Sequence, residues 1–238
     1  MPVPSFIITC KKNERIANDI YEIIFEKPAG FNFIAGQYIL FDVPLIENAG
    51  DIQTRAFSIA STPNESDLIF AMKLKAGGRA SRWIVEALKP GMKARMQGPF
   101  GRFLLDPRTD KDIVMIGTST GIAPYRSQLE AYLESKPIGR IDLIFGARSE
   151  EDLFWAKYFE TLAQKYENFF LHIALSNPSP SWKGHKGRVQ TLIPLIVKDF
   201  TNKKIFICGS PDMTTELKKT ALETWGVEKK DLHVEGYI

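Results

Sequence analysis

The sequence is poor in the residues that build metal centres. It contains only two cysteines, Cys10 and Cys208, and three histidines, His172, His185 and His233. The cysteines lack the paired spacing of an iron–sulfur or zinc site, and the histidines are scattered. We therefore predict no metal site and expect the histidines to be structural or surface residues.

Long apolar runs and blocks of charge are also absent. No run approaches the roughly 20 apolar residues that a membrane helix needs, and the first residues do not resemble a secretion signal. The 31 basic and 28 acidic residues are interspersed and leave a formal net charge of +3, without the basic block of a nucleic-acid-binding arm. These features predict a cytoplasmic protein that binds neither membranes nor nucleic acid, and we expect it to be a monomer.

The chain can form two modest domains, since 44% of its 238 residues are hydrophobic. Up to about residue 106, short β-like runs alternate with turn residues, which indicates an antiparallel barrel. The runs are 6–9, 20–25, 38–43, 55–60 and 68–74. One helix interrupts them, with Ser81 as its predicted N-cap and Pro90 and Gly91 after its end.

A polar, turn-prone segment at 106–110 predicts the boundary between a first domain, 1–106, and a second domain, 107–238. Short apolar runs separated by helical patterns then predict a doubly wound parallel sheet covered on both faces. The runs are 113–116, 141–145, 169–175 and 205–208. The predicted helices include one with Trp155 on its apolar stripe and one with Ser210 as N-cap, and 177–187 is predicted as a surface loop.

Two segments could bind phosphate. Residues 117–124 join a predicted strand to a helix, where backbone N–H groups can meet a pyrophosphate and glycine allows the close approach. The alternative is an ordinary glycine-rich turn, because the usual G-x-G-x-x-G pattern is missing. In the first domain, residues 73–82 form a glycine-containing, cationic approach to a helix, or else a solvated basic loop.

Residues 55–58 lie on a predicted strand, so Arg55 and Phe57 face one way and Ser58 faces the other. With this strand, six motifs occur in the order seen in ferredoxin–NADP reductases, and the match spans nearly the whole chain. The motifs are Ala35-Gly36-Gln37-Tyr38, Arg55-Ala56-Phe57-Ser58, Gly98-Pro99-Phe100-Gly101, Gly121-Ile122-Ala123-Pro124, Gly146-Ala147-Arg148 and Cys208-Gly209. The resemblance implies a six-stranded antiparallel Greek-key FAD-binding barrel followed by an NAD(P)-binding α/β domain.

For the first domain, the resemblance implies that Arg55 pairs with an FAD phosphate and that Phe57 packs on the flavin, where tyrosine is common. It also implies a catalytic role for Ser58, whose hydroxyl would hydrogen-bond near flavin N5. The other residues implied in FAD binding are Ala56, Lys73, Gly78, Arg79, Ala80 and Ser81.

For the second domain, the resemblance implies that Cys208, as a catalytic residue, and Gly209 lie beside the nicotinamide. The alternative for Cys208 is a small buried apolar residue. Further dinucleotide-binding residues would be Gly117, Thr118, Thr120, Gly121, Pro124, Arg148, Ser176, Asn177 and Met213.

The C-terminus resembles that of related reductases. The resemblance implies that the catalytic carboxylate of Glu235 lies near the reacting rings and that the ring of Tyr237 covers the isoalloxazine. Ile238 after the tyrosine departs from the family pattern, and a frayed last strand is the alternative.

The implied activity is hydride transfer between NAD(P)H and FAD, with single electrons passed to or from ferredoxin, flavodoxin or an oxygenase component. An NAD(P)H:flavin oxidoreductase that uses free flavin and a non-catalytic regulatory subunit are the alternatives. The choice between NADH and NADPH stays open. Asn177 stands where NADP-selective members carry arginine, but Lys183, Lys186 and Arg188 follow and could bind a 2′-phosphate.

Overall fold

The computed structural model describes residues 3–237, which divide into two compact units. The first unit contains the residues up to Leu105 together with Ala123–Ala131. The second contains Asp106–Ile122 and the residues from Tyr132 onward. The segment 123–131 therefore groups with the first unit although it follows residue 106 in the chain.

The first unit is built on one six-stranded antiparallel sheet. Its strands are β1 (Ser5–Ala17), β2 (Ile20–Glu26), β3 (Tyr38–Leu45), β4 (Asn48–Ser58), β5 (Asp67–Lys73) and β6 (Lys93–Phe100). Their order in the sheet is β4-β3-β6-β1-β2-β5. Just after β4, the N–H of Ala60 donates to the carbonyl of Ile69 at 2.8 Å, which joins the two edges as a barrel requires.

Alternating side chains form the core of this sheet. On β3, Ile39, Phe41 and Val43 are buried while the residues between them are partly exposed. The rings of Phe25, Phe41 and Phe70 pack with centroids 5.0–6.1 Å apart. Burying each such ring stabilises the fold by roughly 2–3 kcal/mol, so this cluster anchors the barrel.

A short helix, α1 (Arg79–Arg82), continues as one π-helical stretch, Trp83–Ala87. The prediction of Ser81 as its N-cap is wrong, because the N-cap is Gly78 and Ser81 lies inside the helix. The Ser81 hydroxyl instead accepts a hydrogen bond from the N–H of Lys75 at 2.7 Å. The loop before the helix thus folds back on the first turn.

The second unit contains a six-stranded parallel sheet. Its strands are β7 (Asp112–Thr118), β8 (Ile141–Ala147), β9 (Phe169–Leu175), β10 (His185–Lys186), β11 (Lys203–Gly209) and β12 (Leu232–Gly236). Their order is β10-β9-β8-β7-β11-β12. The helices are α2 (Ala123–Glu134), which spans both units, α3 (Ala156–Lys165), α4 (Val189–Ile196) and α5 (Pro211–Glu223). Six of the seven β8 residues are buried, as in a sheet covered on both faces.

The predicted fold class is confirmed, and the differences are local. Trp155 does not belong to the helical stripe. It is the N-cap of α3 with a left-handed φ of 55°. Strand β10 lies within the predicted loop 177–187, whereas Ser210 and Pro211 begin α5 as predicted. Among residues 3–237, no helix combines the length and apolar character needed to cross a membrane.

Candidate cofactor sites

Strand β4 is an exposed edge of the first sheet. All residues from Asn48 to Ala56 are exposed, and Ile52 keeps 52% of its surface accessible. Proteins normally cover or interrupt a long edge strand that carries apolar side chains, because it invites other molecules to pair with it. The exposure of β4 therefore favours a ligand that lies along this strand.

The predicted flavin-binding residues lie at the end of this strand. The guanidinium of Arg55 is exposed and donates to the Thr54 carbonyl at 2.8 Å and to Gln53 Oε1 at 2.6 Å. Both acceptors are neutral, so these bonds leave the positive charge of Arg55 available to an anion. The ring of Phe57 packs on Phe41 with centroids 6.0 Å apart, and Ser58 is buried. Ala56 between them is exposed.

A second arginine reaches the same strand. Arg79 donates through Nη1 to the carbonyl of Asp51 at 2.8 Å and to its Oδ1 at 2.9 Å, and through Nη2 to Oδ2 at 3.1 Å. Asp51 and Arg55 have the same parity on β4, so their side chains share one face, about 13 Å apart along the strand. Hydrogen bonds from Arg79 lower the pKa of the Asp51 carboxyl. Two guanidinium groups therefore lie along the strand face predicted to bind FAD.

The cationic loop predicted for residues 73–82 is largely paired with carboxylates. Arg82 donates to Glu47 at 2.6 Å and to Glu86 at 3.1 Å. With Asp51 on Arg79, three carboxylates face two guanidinium groups, so this cluster carries one net negative charge. Lys73, at the end of β5, pairs with Asp19 at 3.5 Å.

Sequence reasoning missed the carboxylates of Glu47 and Asp51. Both come from the β3–β4 hairpin, about 30 residues before the helix that carries their arginine partners. Neither position shows a local signal that predicts this contact.

In the second unit, the loop after β7 packs against the end of β11. Gly117 lies opposite Cys208 in the register of the two strands. A Cβ on Gly121 would collide with the Cys208 carbonyl and lie 2.8 Å from Gly209 Cα, and a Cβ on Gly209 would lie 2.8 Å from Met213 Cε. The role expected of Gly121 at a phosphate stays a prediction. The missing side chain of this glycine makes room for the neighbouring strand.

Ser119, in the turn between β7 and α2, is a candidate site residue that sequence reasoning did not select. It adopts a left-handed φ of 52°. Its Oγ is shielded from solvent and has no hydrogen-bond partner among residues 3–237. A strained residue with an orphaned hydroxyl at the carboxyl edge of a parallel sheet fits the ligand position of this fold. Thr118 and Thr120 flank it in the sequence.

Cys208 forms a small polar cluster with the last strand. Its Sγ donates to the Tyr237 hydroxyl at 3.4 Å, and that hydroxyl donates to the Thr120 carbonyl at 3.2 Å. Glu235 lies opposite Cys208 in the pairing of β11 and β12. Burial and, secondly, the charge of Glu235 raise the pKa of the Cys208 thiol well above its usual range. The thiol is therefore protonated at neutral pH. Ile238 lies outside the described residues.

Other predicted dinucleotide-binding residues meet where β8 and β9 end. The N–H of Asn177 donates to the Arg148 carbonyl at 2.6 Å, and all three of Arg148, Ser176 and Asn177 are exposed. Nearby, the Glu150 carboxylate accepts hydrogen bonds from the Ser179 hydroxyl and N–H, and these bonds lower its pKa. This edge therefore combines an exposed arginine with an ionised carboxylate.

Pro124, also predicted to bind the dinucleotide, belongs to the first unit, whereas Arg148, Ser176 and Asn177 belong to the second. It is the second residue of α2 and is buried, within the part of α2 that groups with the first unit. The same segment is fixed there by Gln128, whose Nε2 donates to the Phe103 carbonyl at 2.5 Å.

Two family models match the chain, an oxidoreductase FAD-binding domain over residues 8–104 and an oxidoreductase NAD-binding domain over residues 115–219. Ferredoxin–NADP reductase B from Sorangium cellulosum (strain So ce56) is 33% identical over 226 residues, which cover 92% of this chain and 91% of that protein. The chain belongs to the ferredoxin–NADP reductase superfamily. The predicted cofactors of this superfamily member, FAD and NAD(P), are confirmed.

Other superfamily relatives match over different shares of their length. The reductase component of phenol 2-monooxygenase from Pseudomonas sp. (strain CF600) is 31% identical over 209 residues, and the match covers 86% of this chain and 58% of that component. The structure of a ferredoxin NADP+ reductase from Neisseria gonorrhoeae with bound FAD and NADP aligns with a TM-score of 0.86 at 19% identity. That alignment covers 98% of this chain and 99% of the other, and it shows the shared fold.

Proposed function

We propose that this protein transfers hydride between NAD(P)H and FAD and passes electrons singly to a separate carrier such as ferredoxin, flavodoxin or an oxygenase component. One observation supports this proposal above all: a single chain contains both an FAD-binding unit, with an exposed strand that bears an arginine, and an NAD-binding unit. The 238 residues contain only two cysteines, both buried, so they supply no ligand set for an iron–sulfur cluster. The electrons must therefore leave to a centre outside these residues.

The first unit binds and orients the flavin. Bound FAD supplies the hydride acceptor and releases electrons one at a time. Arg55 binds a phosphate of FAD, Phe57 packs against the flavin, and the Ser58 hydroxyl donates a hydrogen bond near N5. Support comes from the exposure of Arg55 and from the burial of Ser58 at the end of the same strand. The loop of Gly78, Arg79, Ala80 and Ser81, with Lys73 and Ala56, completes this site.

The second unit binds the nicotinamide dinucleotide. The turn after β7, with Gly117, Thr118, Ser119, Thr120 and Gly121, binds the pyrophosphate, and the orphaned Ser119 hydroxyl supports this role. Cys208 and Gly209 at the end of β11 contact the nicotinamide, and burial keeps the thiol neutral and protonated. The remaining residues of this unit that are proposed to bind the dinucleotide are Arg148, Ser176, Asn177 and Met213. The expected roles of Pro124 in dinucleotide binding, of Glu235 near the reacting rings and of Tyr237 over the isoalloxazine stay predictions.

An NAD(P)H:flavin oxidoreductase is the second candidate. It is favoured by the carboxylates on Arg79 and Arg82, which weaken the attraction of the loop for FAD phosphates. The purified protein distinguishes the two functions. We expect a yellow protein with about one FAD per chain that reduces ferricyanide with NAD(P)H. A colourless protein that reduces only added flavin supports the second candidate, and a protein without either activity supports a regulatory subunit.

The preferred dinucleotide is tested by steady-state kinetics with NADH and NADPH. Asn177 carries no charge, whereas Lys183, Lys186 and Arg188 are exposed beyond it. A cytoplasmic location and a monomeric state stay predictions.

A further inference from the structure

We infer that Asp51 sets the affinity for FAD, because its carboxylate competes with the FAD pyrophosphate for the guanidinium of Arg79. The inference rests on the proposed FAD site and adds a residue that none of the sequence motifs contains. It concerns the strength of cofactor binding and not the hydride transfer itself.

The geometry of the pair shows why the two anions compete. Asp51 occupies Arg79 with both carboxylate oxygens, at 2.9 and 3.1 Å, and with its main-chain carbonyl at 2.8 Å. The Arg79 side chain keeps only 14% of its surface exposed, whereas that of Asp51 keeps 45%. A phosphate therefore has little room to bind Arg79 beside the carboxylate. It has to replace the carboxylate, which can swing into solvent.

Electrostatics point in the same direction. A pyrophosphate that replaces Asp51 exchanges one charge-assisted contact for another, so only the difference contributes to binding. The displaced carboxylate then lies beside a ligand of the same charge, which is unfavourable. Within residues 3–237, the hydrogen bonds of Arg55, on the same strand face, go to neutral oxygens, so this arginine carries no such penalty. Removing the charge of Asp51 should therefore strengthen FAD binding.

The test compares wild-type protein with Asp51→Asn and a matched control, Asp67→Asn. Asp67 also forms an exposed ion pair, with Lys11 at 2.7 Å, and lies in the same unit. Both variants therefore lose one negative charge. Flavin-free protein is titrated with FAD by fluorescence quenching and with ADP by calorimetry. The rate of FAD release from the flavin-loaded proteins on dilution gives a second measure that does not require cofactor removal.

We expect Asp51→Asn to bind FAD about threefold to tenfold more tightly and to release it correspondingly more slowly, with ADP binding tightened in parallel. Asp67→Asn should match the wild type. Equal or weaker binding by Asp51→Asn overturns the inference, since weaker binding means that Asp51 orients Arg79 for the phosphate. If both variants bind FAD more tightly by the same factor, the inference is overturned, because the effect then comes from the net charge of the protein. If wild-type protein binds no FAD, the proposed function itself fails.

Discussion

The two candidate cofactor sites are held together in different ways. In the first unit, the site lies on an exposed strand, and ion pairs such as Arg79 with Asp51 set its charge. In the second unit, main-chain atoms fill the space beside Gly121, the side chains of Thr118 and Met213 fill the space beside Gly209, and Cys208 is fully buried. A charge at the first site can be changed with little effect on packing. At Gly121 and Gly209 there is no room for an added Cβ, so substitutions at these two positions should act first on stability.

The largest expected effect comes from Gly209→Ala. The new Cβ would collide with Thr118 Oγ1 and lie 2.8 Å from Met213 Cε, and the φ of 151° at this position disfavours any side chain. We expect a loss of about 2–4 kcal/mol in the free energy of unfolding, measured in urea, because the backbone conformation is strained and the Thr118 and Met213 side chains have to move aside. The control is Gly226→Ala, at a position with a φ of 68°, where an added Cβ meets no atom of residues 3–237 within 4 Å apart from its chain neighbours. It should cost about 1–2 kcal/mol, and equal losses in both variants would contradict the packing argument.

A second prediction tests whether the Cys208 thiol is shielded from solvent in the native protein. In a Cys10→Ala background, a disulfide reagent at pH 8 should label Cys208 at least about 100-fold more slowly than a free cysteine, because only the thiolate reacts. Since burial raises the pKa of this thiol, the labelling rate should still increase above about pH 10, where that of a free cysteine has levelled. Unfolding in urea should release one fast-reacting thiol. Rapid labelling of the native protein at pH 8 would show that the Cys208 thiol is accessible to the reagent and would contradict this prediction.

At the first site, Ser58→Ala should slow flavin reduction by NAD(P)H about 10- to 100-fold while the flavin content stays unchanged. The substitution removes only the hydroxyl of a buried side chain. Stopped-flow absorbance measures the rate. Ser66→Ala, at an exposed position of the same unit, is the control. An unchanged rate in Ser58→Ala would remove the serine from the hydride-transfer step.

The smallest expected effect comes from Arg55→Ala, which deletes a charge-assisted contact with an FAD phosphate. Such contacts contribute about 1.5–3 kcal/mol, and solvent screening at this exposed position reduces the expected loss of FAD affinity to about tenfold. Fluorescence titration with FAD measures it. Arg95→Ala removes another exposed arginine of the same unit and should leave the affinity unchanged. Full FAD affinity in Arg55→Ala would contradict the assigned role.

Elements with strong periodicity were predictable. The alternation in 68–74 corresponds to β5, and the apolar run 141–145 corresponds to the buried part of β8. Strand β6 was not among the predicted runs, since its buried positions include Ala94 and Gly98, which give a weak apolar signal. Helix α4 was also missed, and it contains Pro194, which normally argues against a helix.

The candidate sites also combine features that local sequence predicts with features that it does not. The local sequence pattern predicted that Arg55, Phe57 and Ser58 lie on one strand. It also predicted the glycine-rich turn before α2. Both predictions were possible because strand alternation and turn chemistry depend on neighbouring residues. The pairing of Asp51 with Arg79 and the burial of Cys208 beneath Tyr237 required the tertiary structure. Both contacts join segments nearly 30 residues apart, and only the folding of the intervening chain determines which side chains meet.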